Sequence, residues 1–238
     1  NTPLRPILSA IGTINYKISQ FFIPLLKHIT INKFTIKDTF DFVNRILEIP
    51  NANEYVMASF DVTNLFTNVP LEETLNLITT TLFTDSNSVH GLDKTNFRKL
   101  LDIATKDIMF YHKQKLFKQV EGVAMGSPLG PTLANIFMCL NEKKWLDNCP
   151  SEFKPSHYFR YVDDTFLLFK SATSVRSFLD YLNAQHPNIK FTCEIENNGT
   201  LPFLDVNVSR DNNSFVSSVY RKPTYTGLTT KFDSYVPN

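Results

Sequence analysis

Residues Phe159 to Phe169 read FRYVDDTFLLF, two apolar runs separated by a pair of adjacent aspartates. Aromatic, leucine and β-branched residues in blocks of four to five favour strands. A strand, a two-residue acidic turn at Asp163-Asp164 and a second strand make a β-hairpin with carboxylates at its tip. Two carboxylates held together without a counter-charge resist joint ionisation, so something positive belongs beside them. The only nearby basic side chain is that of Arg160, and a divalent metal is the natural alternative. Taken alone, the pair is most often a solvated turn, because Asp is a common turn residue. The rest of the chain decides between the two readings.

An extended start leads into a helix over Ile7 to Ile29, with Pro24 a kink or break. Ile36, Phe40, Val43 and Leu47 recur at helical spacing and predict a second helix over Lys37 to Ile49. Glu54 to Phe60 reads as an apolar strand ending on Asp61. Pro70 suits the first turn of a helix reaching Leu82, with Glu72 and Glu73 favourable near its N-terminus. After a polar loop, Asp93 caps a helix carrying Phe97, Leu100, Leu101 and Ala104 on one face. Ile108 to His112 and Leu116 to Val120 form a short hairpin. Glu121 to Pro131 then uses three of the chain's seven glycines (Gly122, Gly126 and Gly130) in a loop that runs into a long helix, Thr132 to Asp147. Glycine lets backbone approach a ligand closely, and a helix N-terminus favours phosphate. A helix over Ser174 to Gln185 and strands over Ile189 to Ile195, Phe203 to Val208 and Phe215 to Tyr220 complete the reading. The fold class is α+β, an antiparallel sheet with helices packed on one face.

In such a sheet the strand-end Asp61 can meet the hairpin-tip Asp163 and Asp164. Together they can hold two divalent ions, the arrangement that stabilises both the attacking and the leaving oxygen of an in-line phosphoryl displacement. Mg²⁺ suits a sparse carboxylate set completed by water and substrate phosphates. Hydrophobic residues at 42% and charged residues at 20% exclude a disordered chain. The net charge of +1 does not by itself point to nucleic acid. The charge is uneven, however: Lys94, Arg98, Lys99, Lys106, Lys113, Lys115 and Lys118 face only Asp93, Asp102 and Asp107 between Gly91 and Val120. That run is either a solvated face or the lining of a polyanion groove. Three widely spaced cysteines (Cys139, Cys149 and Cys193) have no zinc spacing, imply no disulfide framework and fit a reducing intracellular compartment.

The order of these motifs resembles a reverse transcriptase, and their wording resembles the Penelope-like retroelement branch. Ala58 to Pro70 (ASFDVTNLFTNVP) is similar to that family's first catalytic motif, Gly122 to Asn135 (GVAMGSPLGPTLAN) to its glycine-rich second, and Tyr161 to Asp164 (YVDD) to its third. Leu201 to Val206 and Val219 to Thr224 resemble its last two, and Leu4 to Ile7 the end of a fingers motif. The resemblance spans nearly the whole chain.

It implies a reverse-transcriptase-type palm over 55–70 and 121–220, fingers-like segments over 1–54 and about 71–120, and a primer-grip region over 215–238. It implies metal ligation by Asp61, Asp163, Asp164 and the backbone of Val62, with two Mg²⁺ ions, replaceable by Mn²⁺. Phe66 would exclude a ribose 2′-hydroxyl, Arg5 would contact the incoming triphosphate, and Gly126, Ser127 and Pro128 would shape the nascent base-pair pocket. Tyr220, Arg221 and Lys222 would lie near the primer end. The partners implied are an RNA template, a DNA primer and dNTPs, with no membrane, and action in the nucleus. Met125 stands where related polymerases often carry Gln, and Lys190 is the nearest counterpart of a proton-donating lysine. A lysine-bearing fingers motif, a thumb and a GIY-YIG endonuclease would lie outside these residues. An inactive, domesticated or decayed RNA-binding copy and a telomerase-like or RNA-copying palm enzyme are the rival readings.

Overall fold

The computed structural model describes residues 7–106 and 108–228. Along the chain run α1 (Ile14–Leu26), α2 (Thr39–Leu47), β1 (Val56–Val62), α3 (Leu65–Asn68), α4 (Leu71–Leu82), β2 (Ser88–Val89), β3 (Leu92–Asp93) and α5 (Lys94–Thr105). The hairpin β4 (Met109–His112) and β5 (Lys115–Lys118) follows, then α6 (Gly130–Asp147), β6 (His157–Tyr161), β7 (Asp164–Phe169) and α7 (Ala172–Gln185). The chain continues with β8 (Phe191–Ile195), β9 (Thr200–Phe203), β10 (Val206–Asp211) and β11 (Ser214–Val219). Among the described residues no helix is long and apolar enough to cross a membrane.

The central sheet has the order β6-β7-β1-β8, and its neighbouring strands pair antiparallel. Alternate residues of a strand face opposite sides, and β1 and β7 use both. Ala58, Phe60, Val62, Leu167 and Phe169 enter one core with Leu75 and Ile78 of α4, Phe137 of α6 and Phe178 of α7. Met57, Phe166 and Leu168 enter a second core with Phe42 and Ile46 of α2 and with Leu201, Phe203, Val208 and Phe215 of the β11-β10-β9 sheet. The expected helical layer is therefore present, and the opposite face is covered as well, by one helix and a small sheet. Runs apolar on both faces are what such sandwiching demands.

Local signals account for most boundaries. Asp38 accepts from the Asp41 amide at 2.9 Å and caps α2, and Asp93 accepts from the Asn96 amide at 2.9 Å and caps α5. Pro24 does not break α1, which runs on to Leu26. Phe22 and Leu26 are completely buried, and the Phe22 ring meets Phe97 of α5 edge-on at 5.1 Å, so packing holds the last turn. The strand predicted over Phe203 to Val208 is instead a turn between β9 and β10. Phe203 pairs with Val206 across it, and Leu204 takes φ +53°. Folding back there lets both Phe203 and Val208 reach the second core.

Candidate active site

The hairpin at the centre of the sequence argument forms one residue out of the expected register. Tyr161 pairs with Asp164, so the two turn residues are Val162 and Asp163, and Asp164 is the first residue of β7. Val162 adopts φ +56°. For a β-branched residue that conformation is strained by about 1–3 kcal/mol and needs its surroundings to enforce it. The Val62 amide donates to the Asp163 carbonyl at 3.2 Å, tying the turn to the end of β1.

Asp61 stands directly opposite Asp164 in the β1–β7 ladder. Side chains directly opposite in an antiparallel pair share one face about 5 Å apart. That face also carries Met57 and Ser59 of β1, so the carboxylates continue the second core's face to the sheet end where the core opens. Two cavities meet there. One, of about 570 Å³, is lined by Asp61, Asp164, Phe203, Tyr220 and Lys222 among others. The second, of about 140 Å³, is lined by Asp61, Val62, Phe66, Met125 and Asp163. Asp61 belongs to both.

Electrostatics mark the same point. Burial pushes the Asp164 carboxyl up, the charges of Asp163 and Asp61 push it further, and Lys222 only partly opposes them, leaving a pKa of about 6. Repulsion of this kind is what a bound cation would relieve. Among the described residues no group of three or more His, Cys, Asp and Glu side chains is placed to hold a metal ion. The three aspartates instead stand as a cross-strand pair, Asp61 and Asp164, with Asp163 on the adjoining turn, and each lines at least one of the two cavities. That sparse oxygen set fits Mg²⁺, which keeps waters and takes substrate phosphates rather than a full protein shell.

The glycine-rich loop closes the smaller cavity. The Val123 amide donates to the Phe66 carbonyl at 2.7 Å, and Gly122, at φ +74°, lies so close to Thr67 that an added Cβ would sit 2.5 Å from its carbonyl oxygen. Gly126, at φ +107°, passes under the Leu8 carbonyl, where a Cβ would collide outright, and the Leu8 amide donates to Met125 at 2.8 Å. Phe66, Gly126, Ser127 and Pro128 thus line one open cavity of about 440 Å³ together with Tyr16 and Met125.

The family profile described as Reverse transcriptase (RNA-dependent DNA polymerase) matches residues 3–194. The chain belongs to the reverse transcriptase family. No curated protein matches it. Among solved structures, apo telomerase from Candida tropicalis truncated from its C-terminal domain superposes with TM-score 0.64 at 13% identity, over 85% of this chain and 45% of that one. Telomerase from Candida albicans in complex with a fragment of telomeric RNA gives 0.63 at 12%, over 85% and 39%. An RNA-dependent RNA polymerase gives 0.57 at 14%, over 89% and 21%. These likenesses establish the shared palm-type fold, and the chain spans less than half of each of these structures.

Within this reverse transcriptase fold, the site residues expected from the sequence separate into groups. Asp61, Val62, Asp163, Phe66, Gly126, Ser127 and Pro128 gather around the two smaller cavities. Asp164, Tyr220 and Lys222 line the large one, while Arg221 turns aside and lies over the Tyr225 ring, 5.3 Å from its centroid. Arg5 lies outside the described residues. Lys190 is committed elsewhere, its ammonium donating to the Asn183 carbonyl at 2.6 Å and the His186 carbonyl at 3.2 Å at the end of α7. In the basic run, Arg98 and Lys106 are bound to Glu72 and Asp102, whereas Lys113 and Lys115 are exposed on the β4–β5 hairpin.

Arg160 does not serve as counter-charge to the carboxylates. It is completely buried and paired with Glu142 of α6, Nε to Oε2 at 2.7 Å. Burial opposes its charge, but the Glu142 carboxylate outweighs burial and holds its pKa above the ordinary value. The sequence offered a signal for this pair. Asn135, Cys139 and Glu142 recur at helical spacing, a polar stripe on a helix that is otherwise mostly buried on that side.

Proposed function

We propose that this chain is the polymerase core of an RNA-directed DNA polymerase, extending a DNA primer with dNTPs on an RNA template. The observation that carries the reading is the placement of Asp61, Asp163 and Asp164 where two cavities meet, one bounded by Phe66 and the glycine-rich loop, the other by Tyr220 and Lys222. A nucleotide triphosphate suits the first and a primer end the second, with the carboxylates between the reacting atoms.

Asp61 and Asp163 would be the principal ligands of Mg²⁺, or of Mn²⁺ in its place, with Asp164 beside them. When bound there, the ions would acidify the primer 3′-hydroxyl and neutralise charge on the departing pyrophosphate. Phe66 fills the space that a 2′-hydroxyl would need and so selects deoxynucleotides. Gly126, Ser127 and Pro128 shape the wall against which the new base pair stacks. Tyr220 and Lys222 line the cavity that takes the primer end, Arg221 stands next to them over the Tyr225 ring, and Lys222 keeps part of the carboxylate repulsion in check. Arg5 would pair with the triphosphate, to whose planar oxygen pairs a guanidinium is matched. Contact with the nucleic acid backbone makes binding fall steeply with salt.

Within the family, the wording of GVAMGSPLGPTLAN and of the YVDD motif favours a Penelope-like retroelement, acting in the nucleus. Primer extension by the full-length protein tests the activity. Incorporation of dNTPs that Asp163→Asn abolishes supports it. No incorporation with Mg²⁺ or Mn²⁺ would instead favour a decayed, RNA-binding copy.

A further inference from the structure

The buried Arg160 is bound to more than its ion-pair partner. A guanidinium has five N–H donors, and each has an acceptor. Nε donates to Glu142 Oε2 at 2.7 Å, and Nη2 to Glu142 Oε1 and to Cys139 Sγ, both at 3.1 Å. Nη1 donates to Asn135 Oδ1 at 2.9 Å and to the Val162 carbonyl at 3.0 Å. Four of these contacts lie on one stripe of α6. The fifth is the turn residue in the left-handed conformation, immediately before Asp163.

Strained backbone persists only where neighbours over-determine it. Here two hydrogen bonds do so, Arg160 on the Val162 carbonyl and the Val62 amide on the Asp163 carbonyl. Glu142 is itself held, with Asn32 Nδ2 donating to Oε1 at 2.5 Å, so the arginine has little freedom to drift. The helix that grips it begins at Gly130, in the loop that walls the small cavities. One rigid element therefore fixes both the pocket wall and the acidic turn.

We propose that Arg160 is a positioning residue: by holding the carbonyl of left-handed Val162 against α6 it sets the Asp163 carboxylate in line with Asp61. The inference rests on the polymerase reading of those carboxylates. Replacing Arg160 alone strands the Glu142 charge, so the informative variant is Arg160→Met with Glu142→Leu. Substituting a whole buried ion pair by apolar residues is often neutral for stability. In the full-length protein this variant is expected to unfold cooperatively near the wild-type temperature. Its kcat should fall about 10–100-fold, as sub-ångström to ångström misplacement does, with KM for dNTP within about twofold.

Adding Val162→Gly, which reaches positive φ without strain, should recover about tenfold of the loss. A purely structural ion pair predicts no such rescue. An undiminished kcat in the double variant, or no recovery with glycine, overturns the inference. Amide exchange at Val162 and Asp163 reads the turn without any turnover, and faster exchange in the double variant is expected. If the wild-type protein incorporates no nucleotide, the polymerase reading falls. Unchanged exchange would then separately refute the clamp on the turn.

Discussion

Asp164→Asn should make the metal-free protein more stable at neutral pH. The carboxyl titrates near 6 in the folded chain against 3.8 for an unperturbed Asp, a rise of about two pH units. At about 1.4 kcal/mol per unit the full effect is about 3 kcal/mol. Asp164 is only half-buried, and solvent screening reduces this to about 1 kcal/mol. The sign follows from proton linkage. A raised carboxyl pKa means that the folded state holds the proton more tightly, so stability is present below pH 3.8 and is lost as pH rises through about 6. Asparagine removes that loss. The difference between variant and wild type should therefore be near its floor at pH 4, grow through pH 5 and 6, and stay flat above 7.

Urea denaturation in EDTA at low salt across pH 4 to 8 measures it, with an accompanying rise of about 2–4 °C in Tm at pH 7.5. Millimolar Mg²⁺ should stabilise the wild type more than the variant, because a ligand that binds only the folded state adds stability in proportion to its affinity. A variant-minus-wild-type difference that is flat with pH, or that grows toward pH 4, would refute the repulsion argument. So would equal Mg²⁺ stabilisation of both proteins.

Phe66→Ala should lower discrimination against ribonucleotides by at least about tenfold, in line with 1–3 kcal/mol for a lost packing contact, measured as the ratio of kcat/KM for dNTP and rNTP. If ribonucleotide incorporation does not rise, Phe66 is a packing residue and not a sugar gate. Gly126→Ala places a Cβ on the Leu8 carbonyl at a strained φ and should cost about 1–3 kcal/mol of stability together with a raised KM for dNTP, read by denaturation and steady-state kinetics. Lys222→Ala removes a charge that opposes protonation of Asp164, so the Asp164 carboxyl should titrate above 6 in an EDTA-containing NMR titration, and an unmoved midpoint would place Lys222 too far away to matter.

Much of the fold was legible because local chemistry and tertiary need agree. Asp93 announces its helix as a cap, and strands β1 and β7 read as continuous apolar runs because both faces are buried. The carboxylates were legible as a set because Asp61 ends one run and Asp163-Asp164 begin another. What was not legible required partners distant in sequence. Pro24 stays helical because Phe22 and Leu26 are anchored in the core. The second face of the sheet is covered by α2 and by β9 to β11, whose short strands carry no signal of where they dock. Arg160 read as a counter-charge because its neighbours in sequence are acidic, but Glu142 lies eighteen residues upstream and holds it inside.

The two errors of register share a cause. Both Val162 and Leu204 occupy left-handed turn positions where glycine or asparagine would be expected. A reader of sequence therefore places the first turn one residue late and overlooks the second. The consequences lie around the two cavities that share Asp61. Leu204 is in the wall of the large one, and Val162 precedes Asp163 in the wall of the small one. Local rules tend to be broken where a functional arrangement over-rides them. At Val162 the over-riding contact is visible in the Arg160 hydrogen bond to its carbonyl. The same turn half-buries Asp164 beside Asp163 and opposite Asp61, and burial first, then those two charges, raise its pKa. Strain and repulsion at this tip are thus two costs of one geometry, and a protein selected for stability alone would have replaced Val162 with glycine and Asp164 with asparagine.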